Sequence, residues 1–111
     1  MLDLNKKKYY VYVIELDEKV TTHKKFRQKN PNYIRDNGCV YIGQSERKPE
    51  IRFEQHEEGY KANYFAKLYG IKLLPDFYEK YNPIPTRKDA ENIESMLGKT
   101  LRLKHFRVWF N

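Results

Sequence analysis

Only one cysteine occurs in this chain, so it can neither close an internal disulfide nor offer a Cys-Cys pair to zinc. Cys39 lies in an apolar run between Gly38 and Gly43 and reads as a packed strand residue in a reducing compartment. Long apolar runs are missing too. No stretch approaches the roughly 20 residues that span a bilayer, and Met1 to Lys8 lacks the apolar centre of a secretory leader. The expectation is a soluble, intracellular, cytoplasmic protein with no membrane partner. Gly/Ser linkers, low-complexity tracts and internal repeats are absent, and 111 residues suffice for one core but not two. Residues 1–111 are read as a single domain.

Acidic residues are in deficit. Fifteen Asp and Glu face 22 Lys and Arg, a net charge of +7, so a polyanion bound through counterion release is the natural partner. The 40% apolar share, with 15% aromatics, argues for a folded globule rather than a disordered basic tail. Ten tyrosines suit stacking on bases, although a chain this small needs most of its aromatics for the core.

From Lys8 to Leu16 the residues alternate, with Tyr10, Tyr12, Ile14 and Leu16 on one face and Tyr9, Val11 and Val13 on the other. Both faces are apolar, which predicts a central strand. Residues 17–38 form a polar, strongly basic insertion carrying Lys24, Lys25 and Arg27. Cys39 to Gly43 returns as a short strand, in the simplest topology antiparallel to the first, and Gly43 marks a close approach to the backbone. Pro49 and Glu50 open a helix that Gly59 ends, with Arg52 and His56 four apart on one face.

A short helix is expected from Ala62 to Tyr69, and a third strand from Ile71 to Tyr78, demoted to an edge or bulge by Pro75. Thr86 and Asp89 form a capping pair that starts a helix reaching about Leu103, with a buried stripe of Ala90, Ile93, Leu97 and Leu101 and with Glu94 beside it. The apolar tail Val108-Trp109-Phe110 should pack back on the domain. The sum is an α+β fold: a small three-stranded antiparallel sheet flanked by helices.

Tyr10-Val11-Tyr12 in the first strand, Tyr41-Ile42-Gly43 in the second, Arg52 and His56 on the next helix, Glu94 on a late helix and a terminal Asn111 form an ordered set. That set resembles the GIY-YIG nuclease superfamily over nearly the whole chain. Tyr10 and Val11 replace the Gly and Ile of the first triplet. The 28 residues between Tyr12 and Tyr41 resemble the longer insertion of the superfamily's restriction enzymes.

The resemblance implies a layered nuclease domain and a metal-dependent endonuclease hydrolysing phosphodiester bonds, with DNA preferred over RNA. It implies that Glu94 holds Mg²⁺ or Mn²⁺, that Tyr41 acts as general base with its pKa lowered by Arg52, and that Arg52 clamps the phosphate. His56 would accept the tyrosine proton or orient the water, Tyr12 would hydrogen-bond the phosphate or water, and Asn111 would close the site. Gln44 stands where some relatives have lysine, leaving a phosphate contact to Arg47 or Lys48. Lys24, Lys25, Arg27, Arg47 and Lys48 are the expected nucleic-acid-binding residues, and specificity is left to the insertion, a homodimer or a partner protein. The competing reading is a non-catalytic nucleic-acid-binding module of the same fold. A purely structural basic protein accounts for the charge but not for the ordered set.

Overall fold

The computed structural model describes residues 7–31 and 37–110. Strand β1 (Tyr10–Leu16) runs antiparallel to β2 (Cys39–Ser45) over seven paired positions, from Tyr10 opposite Ser45 to Leu16 opposite Cys39. Its apolar alternation is used on both faces: Val11, Tyr12, Val13 and Ile14 are all at most 1% exposed, as befits a strand covered on both sides. Each such Val or Ile contributes roughly 1.5 to 3 kcal/mol of burial, so this hairpin is the centre of the core. Asn82 reinforces it. Its side chain accepts from the Val11 N–H at 2.9 Å and donates to the Val11 carbonyl at 2.8 Å, replacing strand pairing at that point.

The sheet has four strands and is mixed, which corrects the expectation of three antiparallel ones. Its order is β3-β1-β2-β4, where β3 (Gly70–Leu73) is antiparallel to β1 and β4 (Arg107–Trp109) is parallel to β2. Strand β3 is an edge, as expected, but stops short of Pro75, where a 3₁₀ turn (Pro75–Phe77) begins because proline cannot donate to the ladder. The apolar tail packs back as β4. It lies parallel because the long helix before it carries the chain across the domain, and three residues are too few to show a strand period in sequence.

The basic insertion folds into a 3₁₀ turn (Glu18–Thr22) and helix α1 (Lys24–Gln28), each burying one residue, Val20 and Phe26. Buried Asn30 then ties the insertion to the tail: its Oδ1 accepts from the Val108 N–H at 2.6 Å while its Nδ2 donates to the Phe26 carbonyl at 2.7 Å. That bond occupies a donor of the edge strand β4.

Helix α2 (Pro49–Glu58) starts on proline and ends on Gly59 at φ 86°, a left-handed cap that a side chain would strain. It buries only Pro49 and His56, so it serves mainly to present those positions. Helix α3 (Tyr64–Tyr69) begins two residues later than expected because Asn63 caps it, accepting from the N–H groups of Phe65 and Ala66. Helix α4 (Arg87–Leu103) is capped by Thr86, whose hydroxyl accepts from the Asp89 N–H at 3.0 Å. Ala90, Leu97 and Leu101 are buried along it as expected, with Ile93 partly buried and Glu94 joining the buried row. Among the described residues no helix is long and apolar enough to cross a membrane.

Candidate active site

The pairing of β1 and β2 places Tyr12 opposite Gly43 and Ile14 opposite Tyr41, so the two tyrosines lie diagonally on one face of the sheet. Their ring centroids are 6.1 Å apart. Gly43 is what allows this arrangement, since a Cβ there would sit 2.4 Å from the Tyr12 hydroxyl. The close approach expected at Gly43 is therefore an approach of the Tyr12 phenol.

His56, 1% exposed on α2, completes a triangle with ring centroids 5.9 Å from Tyr12 and 5.5 Å from Tyr41. Its tautomer follows from its partners. The Asn63 backbone N–H, 3.2 Å from Nδ1, can only donate, so Nδ1 accepts and Nε2 carries the proton. Nε2–H then donates to the Tyr12 oxygen at 2.9 Å, which leaves the Tyr12 hydroxyl proton free to turn toward Tyr41, an influence that lowers the Tyr41 pKa. Burial, with the Arg52 charge adding to it, lowers the His56 pKa to about 4. His56 is thus a neutral donor whose acceptor nitrogen is already used, and it is placed to orient Tyr12 rather than to take a proton.

Arg52 is half-buried and spends most of its donors on its own helix end. Nη1 reaches the Gln55 side chain at 3.2 Å and the Tyr60 carbonyl at 3.0 Å, and Nη2 the Lys61 carbonyl at 2.7 Å. Its charge still acts on Tyr12, Tyr41 and His56. For Tyr41 that influence has the expected downward sense, but burial and the neighbouring Glu94 charge outweigh it, and the phenol pKa is raised. Tyr12 is raised as well, chiefly by burial and then by Tyr41.

Glu94 arrives from α4 and is 7% exposed, with no hydrogen bond or ion pair among the described residues. Burial, and secondarily Glu91, raises its carboxyl pKa to about 7. It opens with Tyr41 onto a cleft of about 380 Å³ that Gln44, Arg87 and Glu91 also line. Arg87 Nε is 3.2 Å from the Glu91 carboxylate. Among the described residues no group of three or more His, Cys, Asp and Glu gathers as a metal cage. A lone unpartnered carboxylate nonetheless suits Mg²⁺, which keeps much of its water and takes one or two protein ligands.

The structure therefore brings Tyr12, Tyr41, Arg52 and His56 into one interacting group and sets Glu94 on the same cleft as Tyr41. Asn111 lies outside the described residues. Arg47 and Lys48 sit exposed in the turn between β2 and α2 and do not line the cleft. Lys24 and Lys25 border a different concavity, beside His23 and Trp109. Arg27 is partly committed locally, its Nη1 donating to the Thr21 carbonyl at 2.7 Å.

Sequence reasoning missed Arg87 and Asn63. Arg87 is the cation that lies where Gln44 leaves a gap, and its spacing of seven from Glu94, through Glu91, was the available signal. Asn63 acts through a backbone N–H, which no residue type announces. Compared with known proteins, the chain matches no family model, no curated protein and no solved structure.

Proposed function

We propose that this chain is a metal-dependent endonuclease of the GIY-YIG type, hydrolysing phosphodiester bonds with DNA as the preferred substrate. One observation carries the reading: Tyr41, backed by the Tyr12, His56 and Asn63 hydrogen-bond chain, shares a cleft with a buried carboxylate that has no hydrogen bond or ion pair among the described residues. Phosphodiester hydrolysis needs an activated water, charge neutralisation at the phosphate and a cationic wall.

In this reading Tyr41 reacts as its phenolate, taking a proton from the attacking water and becoming the neutral phenol as the water oxygen bonds phosphorus and the bond to the departing nucleotide oxygen breaks. Tyr12 holds the Tyr41 oxygen in place through its hydroxyl. His56 keeps Tyr12 oriented, and the Asn63 N–H keeps His56 in the required tautomer. Arg52 supports negative charge on Tyr41, and Arg87 faces the phosphate from the N-terminal turn of α4 once Glu91 yields it. Glu94 would hold Mg²⁺ or Mn²⁺, which supplies charge neutralisation at the phosphate and offsets the carboxylate charge that raises the Tyr41 pKa.

A nucleic-acid-binding module without catalysis is the second reading, and it draws on the raised Tyr41 pKa together with the engagement of Arg52 by backbone carbonyls. Tyr41→Phe and Glu94→Ala separate the two. The nuclease reading expects both to abolish cutting of plasmid DNA in Mg²⁺ while leaving salt-dependent binding in place. Cutting retained by both variants overturns the site, and binding without cutting by the wild type under any metal favours the module.

A further inference from the structure

A second concavity, of about 500 Å³, collects aromatic and basic side chains away from the Tyr41 and Glu94 cleft. His23, Lys24 and Lys25 of the insertion face Tyr64 and Phe65 of α3 and Trp109 of β4 across it. The rings pack edge to face, with His23 5.5 Å from Tyr64 and 5.4 Å from Phe65, and Phe65 4.8 Å from Trp109. Phe26 stacks on Trp109 at 6.4 Å, so the concavity offers the exposed Tyr64 ring and the remaining, half-buried part of Trp109. Tyr64 is 57% exposed while its ring packs against His23 and Phe65. Lys24 and Lys25 stand exposed at the rim with no ion pair among the described residues.

Exposed aromatic surface beside uncommitted ammonium groups matches the two halves of a nucleotide, since a base stacks on rings irrespective of its identity and a phosphate needs a cation. The concavity also touches the catalytic chain. Asn63 lines it and donates its backbone N–H to His56, one hydrogen bond from Tyr12. A base held within a continuous duplex cannot enter such a pocket, because both of its faces are already stacked.

We propose that this concavity is a subsite for one unstacked nucleobase of the substrate strand, with Tyr64 and Trp109 as the stacking surfaces and Lys24 and Lys25 on the flanking phosphates. The favoured substrate is then single-stranded or locally opened nucleic acid. This rests on the nucleic-acid reading above but not on its chemistry.

The test is a binding titration in chelator with an oligothymidylate, an abasic strand of the same length and charge, and a duplex, read by strand anisotropy and by the fluorescence of Trp109, the chain's single tryptophan. The proposal expects the base-bearing strand to bind roughly tenfold or more tightly than the abasic strand, with Trp109 quenched only by the former. Tyr64→Ala should remove most of that preference and Tyr64→Phe should keep it. Lys24→Ala with Lys25→Ala should weaken both single strands and flatten the logarithmic salt slope by about 1.4. Equal binding of the base-bearing and abasic strands overturns the subsite, as does a preference that survives Tyr64→Ala. If the wild type binds none of the three, the subsite and the nucleic-acid reading fail together. If it binds with base preference yet never cuts in Mg²⁺, the chemistry alone fails, and cutting without base preference removes the subsite alone.

Discussion

Replacing Glu94 by glutamine should make the metal-free protein more stable above neutral pH, because the wild type buries a carboxylate there with no partner among the described residues. The carboxyl pKa rises from 4.5 to about 7 on folding, mainly through burial. Below pH 4.5 the group is neutral in both folded and unfolded chains and contributes nothing to the balance. Between pH 4.5 and 7 the unfolded chain releases the proton while the folded chain holds it, so stability falls as pH rises, and above 7 the loss is complete. At 1.36 kcal/mol for each pKa unit, the full loss over the rise from 4.5 to about 7 is at most about 3 to 4 kcal/mol. Glutamine keeps the shape and removes the charge, so Glu94→Gln should gain up to that amount at pH 8.5. At roughly 4 °C or more per kcal/mol for a domain of this size, the Tm difference is easily read. The assay is thermal unfolding in chelator at pH 5 and pH 8.5, followed by circular dichroism. The variant should melt higher than wild type at pH 8.5, and at pH 5 its advantage should shrink to about a quarter of that. Added Mg²⁺ should then raise the wild-type Tm and leave the variant unchanged. A variant no more stable than wild type at pH 8.5 refutes the claim that Glu94 is an uncompensated buried charge.

Other perturbations test the tyrosine cluster. Gly43→Ala places a methyl carbon 2.4 Å from the Tyr12 hydroxyl, so it should cost about 1 to 3 kcal/mol in denaturant unfolding and displace Tyr12 from His56; unchanged stability contradicts the packing described. His56→Phe removes a group whose pKa is lowered to about 4 by burial, so the wild type should lose stability from this site as pH falls below 6.5 and through 4, and the variant should lack that component. Comparing the two unfolding curves at pH 7 and pH 4.5 checks it, and parallel losses in both proteins contradict it.

The features legible in the sequence were those written in local signals. The two-faced alternation around Tyr12, the proline and glycine bounding α2 and the Thr86 cap of α4 each state their structure within a few residues, and each element lies where those signals put it. Strand β4 was not legible as a strand, because its pairing with Val40 depends on where α4 returns the chain. The grouping of Tyr12 with His56 was suggested by order along the chain, but their hydrogen bond depends on Gly43 being bare and on a backbone N–H of Asn63. Arg52 shows the limit of residue type as a guide: its position was foreseen, yet its donors are drawn to the carbonyls after α2, and Arg87 supplies the cation lining the cleft. Trp109 was legible only as core, since the insertion that completes its pocket is far away in sequence.

On the function proposed above, this cleft cuts a phosphodiester bond with a metal held by Glu94. The most direct measurement is cleavage of plasmid, branched DNA, single-stranded DNA and RNA in Mg²⁺ or Mn²⁺ against a chelator control, with wild type and Glu94→Gln side by side. Metal-dependent cutting by wild type that disappears in the variant, while the variant stays folded and binds substrate, is the predicted result. Tight binding with no cutting on any substrate, or cutting that survives loss of the Glu94 carboxylate, would contradict it.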